Sequence, residues 1–217
     1  YIDPLTTEDI LNVIKTEKPQ YAVVLFGGED VIKLSAVLMD AGVEVLGPDY
    51  DFYRKITNKI EFFDILDYAN VKHTSSQKLF VGTCIEAHII SDGEGFFVPA
   101  LCEHIEKAHI NSGDSISVSP TVSVNENMLN TVEEYIKNIV AELSFKGALD
   151  IQFVVFDNEL YVTKASVTNT TLVPSLYISC VNESGTSFGS DEFGTKLPIS
   201  YFNIGCLFPF ILLGNPN

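Results

Sequence analysis

The chain has 217 residues, room for one ordinary domain or two small ones, and its 46% hydrophobic and 19% charged content is globular rather than disordered. Asp and Glu outnumber Lys and Arg by 29 to 13, and the resulting charge of −16 argues against DNA or RNA as a partner, because such binding draws on cations that neutralise phosphates. No basic start followed by an apolar core opens the chain, and the longest apolar run, 204–213, is broken by Gly205 and Pro209 and falls short of the roughly 20 residues of a membrane helix. A cytoplasmic protein without a membrane partner is expected.

Thr6-Thr7-Glu8-Asp9 reads as a helix start, with Ile10, Val13 and Ile14 on one face and Pro19 as the stop. Tyr21 to Phe26 has the length of a buried strand, and Gly27-Gly28 turns it into a second helix through Ile32, Leu34 and Leu38 that ends at Gly42. Val43 to Leu46 reads as the next strand, and Lys59 to Tyr68 as a helix. This order predicts a parallel sheet with crossover helices. Beyond the polar stretch 73–77 the pattern changes to strands around turns: Phe80 to Ile90 and Phe96 to Leu101 flank 91–95, and Ile151 to Phe156 and Leu160 to Thr163 flank Asp157-Asn158. Between the two hairpins, Ser123-Val124-Asn125-Glu126 has capping-box spacing and opens a helix with Leu129, Val132, Ile136, Ile139, Val140 and Leu143 on one face, ended by Gly147. The expected organisation is an α/β region over 1–72 and an α+β region over 78–217.

Motifs narrow the chemistry. No Gly-x-Gly-x-x-Gly and no Gly-x-x-x-x-Gly-Lys-Ser/Thr occurs, so Gly27-Gly28 reads as a plain strand-to-helix turn. Cys84, Cys102, Cys180 and Cys206 lack Cys-x-x-Cys spacing and read as free thiols of a reducing compartment. The most distinctive segment is Glu103-His104-Ile105-Glu106-Lys107-Ala108-His109-Ile110-Asn111-Ser112-Gly113-Asp114-Ser115. Its carboxylates and imidazoles suit several metals. Strand alternation, however, places His104 and Glu106 on one face and Glu103 and Ile105 on the other, which splits the cluster.

The segment 103–115 resembles the nucleotide-side loop in the second synthetase half of the carbamoyl phosphate synthetase large subunit, an ATP-grasp family. Residues 1–63 are similar to that family's pre-ATP-grasp region, sharing Pro4-Leu5-Thr6, Glu8-Asp9, Phe26-Gly27-Gly28 and Ala41-Gly42-Val43. Residues 147–161 resemble its metal-bearing hairpin through Ile151-Gln152-Phe153, and 197–217 its departing strand. The resemblance implies a partial, Rossmann-like pre-ATP-grasp parallel sheet followed by an ATP-grasp remnant. It also implies nucleotide contacts at His109, Ile110, Asn111, Ser112 and Gln152.

The departures from the family are as informative. Its lid subdomain lies between the positions of Val71 and Lys78, where this chain has a short linker. Lys164 stands where the family has a metal-bridging glutamate, Ser166 where it has an asparagine ligand, Thr168 and Thr171 at two arginines, and Cys84 at an acidic position. Magnesium wants oxygen ligands, so magnesium is not expected, and no residue is assigned as catalytic or metal-binding. The expected function is that of a degenerate relative without synthetase activity on its own. The alternatives are a module that binds ATP or ADP without chemistry, and a ligase fragment completed by a partner chain. A synthetase subunit or a second copy of the chain is the expected partner.

Overall fold

A computed structural model describes residues 5–76, 81–105, 116–167 and 212–214. The first helix, α1 (Thr7–Glu17), is capped by Thr6, whose hydroxyl accepts from Asp9 N at 3.2 Å; it ends at Lys18, in the left-handed region, just before Pro19. Ile10 and Ile14 are its buried residues. Strand β1 (Tyr21–Val23) is shorter than expected, because the chain winds into a 3-10 turn at Leu25–Gly27. There Gly27 lies so close to Val31 that an added Cβ would sit 2.4 Å from that side chain. The single helix expected over 28–42 is two, α2 (Gly28–Ile32) and α3 (Ser35–Asp40). Strand β2 (Glu44–Val45) pairs parallel with β1, the parallel element the alternation of helix and strand pointed to.

Helix α4 (Tyr50–Thr57) was not foreseen. Its signal is the cap Asp49, whose carboxylate accepts from Phe52 N at 2.9 Å, while the buried Ser35 hydroxyl accepts from Tyr50 N at 2.9 Å. Helix α5 (Lys59–Tyr68) buries Phe62, Ile65 and Leu66. Residues 72–74 then run beside the second hairpin, with Val162 N donating to Lys72 O and Thr74 N to Val162 O, both at 2.9 Å.

The second part is a five-stranded antiparallel sheet of β3 (Thr83–Asp92), β4 (Phe96–His104), β5 (Ser117–Val118), β6 (Lys146–Phe156) and β7 (Glu159–Ser166), in the order β5-β4-β3-β6-β7. Asp157 and Asn158 both have positive φ, 51° and 61°, the two-residue turn that suits a twisted hairpin. Between β5 and β6 runs α6 (Glu126–Leu143), which buries Met128, Val132, Ile136, Ile139, Val140 and Leu143. Its cap is Asn125, not Ser123. Ser123 is held elsewhere, donating its N–H and hydroxyl to Glu103, and Asn125 Oδ1 takes Met128 N at 3.0 Å. The helix stops at Ser144, in the left-handed region (φ 46°), before Gly147 is reached. A last strand, β8 (Leu212–Gly214), pairs antiparallel with β1.

One apolar core runs through both parts, joining Ile10, Val31 and Leu66 to Ile85, Ile136, Leu149 and Phe153. The tightest seam is where β6 begins. Gly147 has φ +115°, and an added Cβ would lie 2.4 Å from Pro48 Cδ and 2.9 Å from Gly47 Cα. Phe52 of α4 packs on Phe145 with ring centroids 5.4 Å apart. Gly147→Ala is therefore expected to destabilise by about 2–4 kcal/mol, combining backbone strain and overpacking. A urea unfolding midpoint equal to the wild type would contradict this seam.

Candidate functional site

Alternation sorts the five-stranded sheet into two faces. Ile85, Ala87 and Ile89 on β3, with Leu149, Ile151 and Phe153 on β6, are fully buried and share one core with α6. The even-numbered residues between them make the other face, and it is polar. Glu86 pairs in register with Gln152, and Gln152 with Lys164, so a carboxylate, an amide and an ammonium follow one another across three strands. His88 pairs with Asp150, and Asp150 with Ser166, one step along. Cys84 lies beyond Glu86 on the same face, packed with Val154 and Tyr161.

Cross-strand bonds tie this face together. His104 Nε2 lies 3.0 Å from Glu86 Oε2. Burial alone would raise Glu86, but the His104 hydrogen bond and the charges of His88, His104 and Lys164 hold it below its usual 4.5. His88 Nδ1 lies 2.6 Å from Asp150 Oδ1, with His88 3% and Asp150 1% exposed. Burial alone would lower His88; the hydrogen bonds to Asp150 and Cys102 more than offset it and set His88 well above 6.5. Burial in turn raises Asp150 above 3.8 against the pull of His88. Both shifts have one meaning: the pair keeps its proton to higher pH than isolated groups would.

Of the expected nucleotide contacts, Gln152 sits half-buried at mid-strand on the polar face, its carbonyl accepting from Thr163 Oγ1 at 3.1 Å. His109, Ile110, Asn111 and Ser112 lie outside the described residues, as do Glu106, Thr168 and Thr171. The distinctive segment does split as alternation predicts: His104 turns to Glu86, while Glu103 accepts from Val122 N at 2.7 Å and Ser123 N at 2.8 Å. Glu103 thereby anchors the approach to α6. Among the described residues, no group of three or more His, Cys, Asp or Glu side chains is placed to hold a metal ion. Sequence reasoning missed the network of Glu86, His88 and Asp150. Its signal is the alternation of polar 86 and 88 with apolar 85, 87 and 89, but the partner strand follows only from the register.

Comparison with known proteins bears out the resemblance read from the sequence. Residues 1–55 match the model of the carbamoyl phosphate synthase preATP-grasp domain. The chain is similar to the carbamoyl phosphate synthase large chain of Clostridium perfringens, 27% identical over 242 residues, covering 84% of this chain and 22% of that one. The large chain of Agathobacter rectalis is 29% identical over 241 residues, covering 83% and 22%. The chain thus spans about a fifth of the length of these relatives. In three dimensions it is similar to Rhizobium etli pyruvate carboxylase, with TM-score 0.63 and 13% identity over 79% of this chain and 16% of that one. It is also similar to Kluyveromyces lactis urea carboxylase, with TM-score 0.61 and 17% identity over 82% and 15%. The biotin carboxylase domain of a single-chain bacterial carboxylase gives TM-score 0.61 at 11% identity, over 76% and 48%. These likenesses show a shared fold. No helix among the described residues is long and apolar enough to cross a membrane.

The shifts fix a stability profile. Glu86, held below 4.5, contributes stability that is present above that value and lost on acidification. His88, held well above 6.5, contributes stability that is complete below 6.5 and lost as pH rises through its elevated value. The melting temperature is expected to peak between these values and to fall on the alkaline side. A folded His88→Gln variant should flatten that alkaline fall; an equal slope in both proteins would remove the assignment.

Proposed function

We propose that this chain is a degenerate, non-catalytic relative of the carbamoyl phosphate synthase large chain. One observation carries the reading: Lys164 occupies the same cross-strand row as Gln152 and Glu86, and its charge acts on Glu86. The resemblance puts a metal-bridging carboxylate at that place. Two like unit charges about 4 Å apart repel by about 4 kcal/mol at an effective dielectric of roughly 20. Both carboxylates of the face, Glu86 and Asp150, already hold imidazoles. The donor set therefore does not fit a divalent cation, and phosphoryl transfer leans on such ions and on positioning.

A missing lid, which the resemblance implies, supports the same reading. The alignment with the Clostridium perfringens protein has 242 positions but takes in 84% of 217 residues, about 182. About 60 positions of the relative therefore face no residue here. The connection from α5 to β3 is where that block belongs by the resemblance, and in this chain residues 72–74 of that connection are pinned along β7. Incubation with ATP, magnesium, bicarbonate and ammonia is expected to yield neither carbamoyl phosphate nor ADP above a buffer control. Turnover above that control would end the reading.

A second reading is that the chain holds ATP or ADP without chemistry. Gln152, half-buried on the polar face beside the cation Lys164, favours it. By the resemblance, His109, Ile110, Asn111 and Ser112 would complete the contacts, and a synthetase subunit or a second copy would be the partner. Because Lys164 supplies the positive charge, calorimetry with ADP is expected to give the same affinity with and without magnesium. Silence up to millimolar ADP removes this reading, and binding that requires magnesium overturns the placement of charge.

A further inference from the structure

Residues 72–74 run parallel to β7 without entering the core. Val162 N donates to Lys72 O and Thr74 N donates to Val162 O, both at 2.9 Å, so two backbone bonds straddle one residue of β7. Val71 and Val162 are buried, at 3% and 0% exposure, whereas Lys72, His73 and Thr74 belong to no buried cluster. Side-chain contacts outside the core fix them instead. Lys72 Nζ lies 2.8 Å from Glu159 Oε1, and Tyr161 Oη donates to the other oxygen of that carboxylate. His73 Nε2 lies 3.0 Å from Asp67 Oδ1, and its ring packs on Phe63 with centroids 4.1 Å apart. Lys59 Nζ sits 5.7 Å from the same Phe63 centroid. A segment tied by few bonds and no buried side chain opens at lower cost than the sheet beside it.

We propose that residues 72–74 form a salt-sensitive strap, which opens from β7 as a unit while the five-stranded sheet stays folded. Val71 holds one end of the strap in the core. The Lys72–Glu159 and His73–Asp67 contacts lock it. Opening separates Lys72 O and Thr74 N from Val162 and so frees both backbone groups of that residue together.

The lock and the sheet answer differently to ions. Salt screens an ion pair outside the core, over a length of about 10 Å at 0.1 M, and leaves apolar packing in place. Rising salt therefore weakens the hold of Glu159 on Lys72 and not the burial of Ile151 or Phe153. Val162 stands two residues before Lys164, so the strap is a moving part beside the row that Lys164 forms with Gln152 and Glu86.

The test is amide hydrogen exchange on the full chain, read residue by residue by NMR. Protection at Val162 and Thr74 is expected to agree, and to lie about tenfold or more below that of Ile151 and Phe153 on β6. Protection equal to β6, unlike values at the two amides, or none at either, overturns the proposal. Raising sodium chloride from about 0.05 M to about 1 M should lower protection at Val162 and Thr74 by about threefold and leave β6 unchanged. Glu159→Gln is expected to remove that salt response. His73→Ala should lower protection at both amides by about tenfold at either salt concentration. A salt response that persists in folded Glu159→Gln, or unaltered protection in folded His73→Ala, sinks the strap. If a variant loosens the whole sheet, Ile151 and Phe153 lose protection as well, and the wild-type salt response then decides.

Discussion

The register of the five-stranded sheet is the constraint on which the remainder depends. Side chains on a strand alternate with period two, so a slip of one residue would exchange the faces. Held as it is, the sheet gives Ile85, Ala87, Ile89, Leu149, Ile151 and Phe153 to the core shared with α6. The same register leaves Glu86, His88, Asp150, Gln152 and Lys164 together on the opposite side. The apolar face fixes the polar one: a slip would bury Lys164 and Glu86 under a helix and expose five large or branched groups. Hydrophobic burial at roughly 25 cal/mol per Å² is thus what aligns the charges.

The N-terminal part serves the same end. Pro48 and Gly47 press on Gly147, and Phe52 on Phe145, at the point where β6 starts. Those contacts fix where the strand begins and therefore which of its residues face Glu86 and His88. Residues 72–74 clamp the far edge through Val162, and Lys72 pairs with Glu159 at 2.8 Å. A region that contributes no side chain to the polar row still determines its alignment.

Local signals were legible in the sequence and distant ones were not. Thr6 and Pro19 bound α1, and Asp157-Asn158 made the hairpin, because a cap, a ring and two left-handed residues act within a few positions. Ser123 misled because its donors are drawn to Glu103, about 20 positions back, and a capping-box pattern carries no trace of such a partner. Helix α4 was hidden because Gly47-Pro48 reads as the close of a strand, while its cap, Asp49, follows immediately. On the candidate site, alternation separated Glu103 from His104 correctly. Pairing His104 with Glu86 and His88 with Asp150, 18 and 62 positions apart, required the register.

Net charge and local charge point in opposite directions, and the local one governs what the face can hold. The chain carries −16, yet His88, His104 and Lys164 all act on Glu86, and Asp150 is spent on His88. Fields fall off within about 10 Å at moderate salt, so acids elsewhere on the surface do little to this row. Three basic side chains acting on one carboxylate set the local balance of this row.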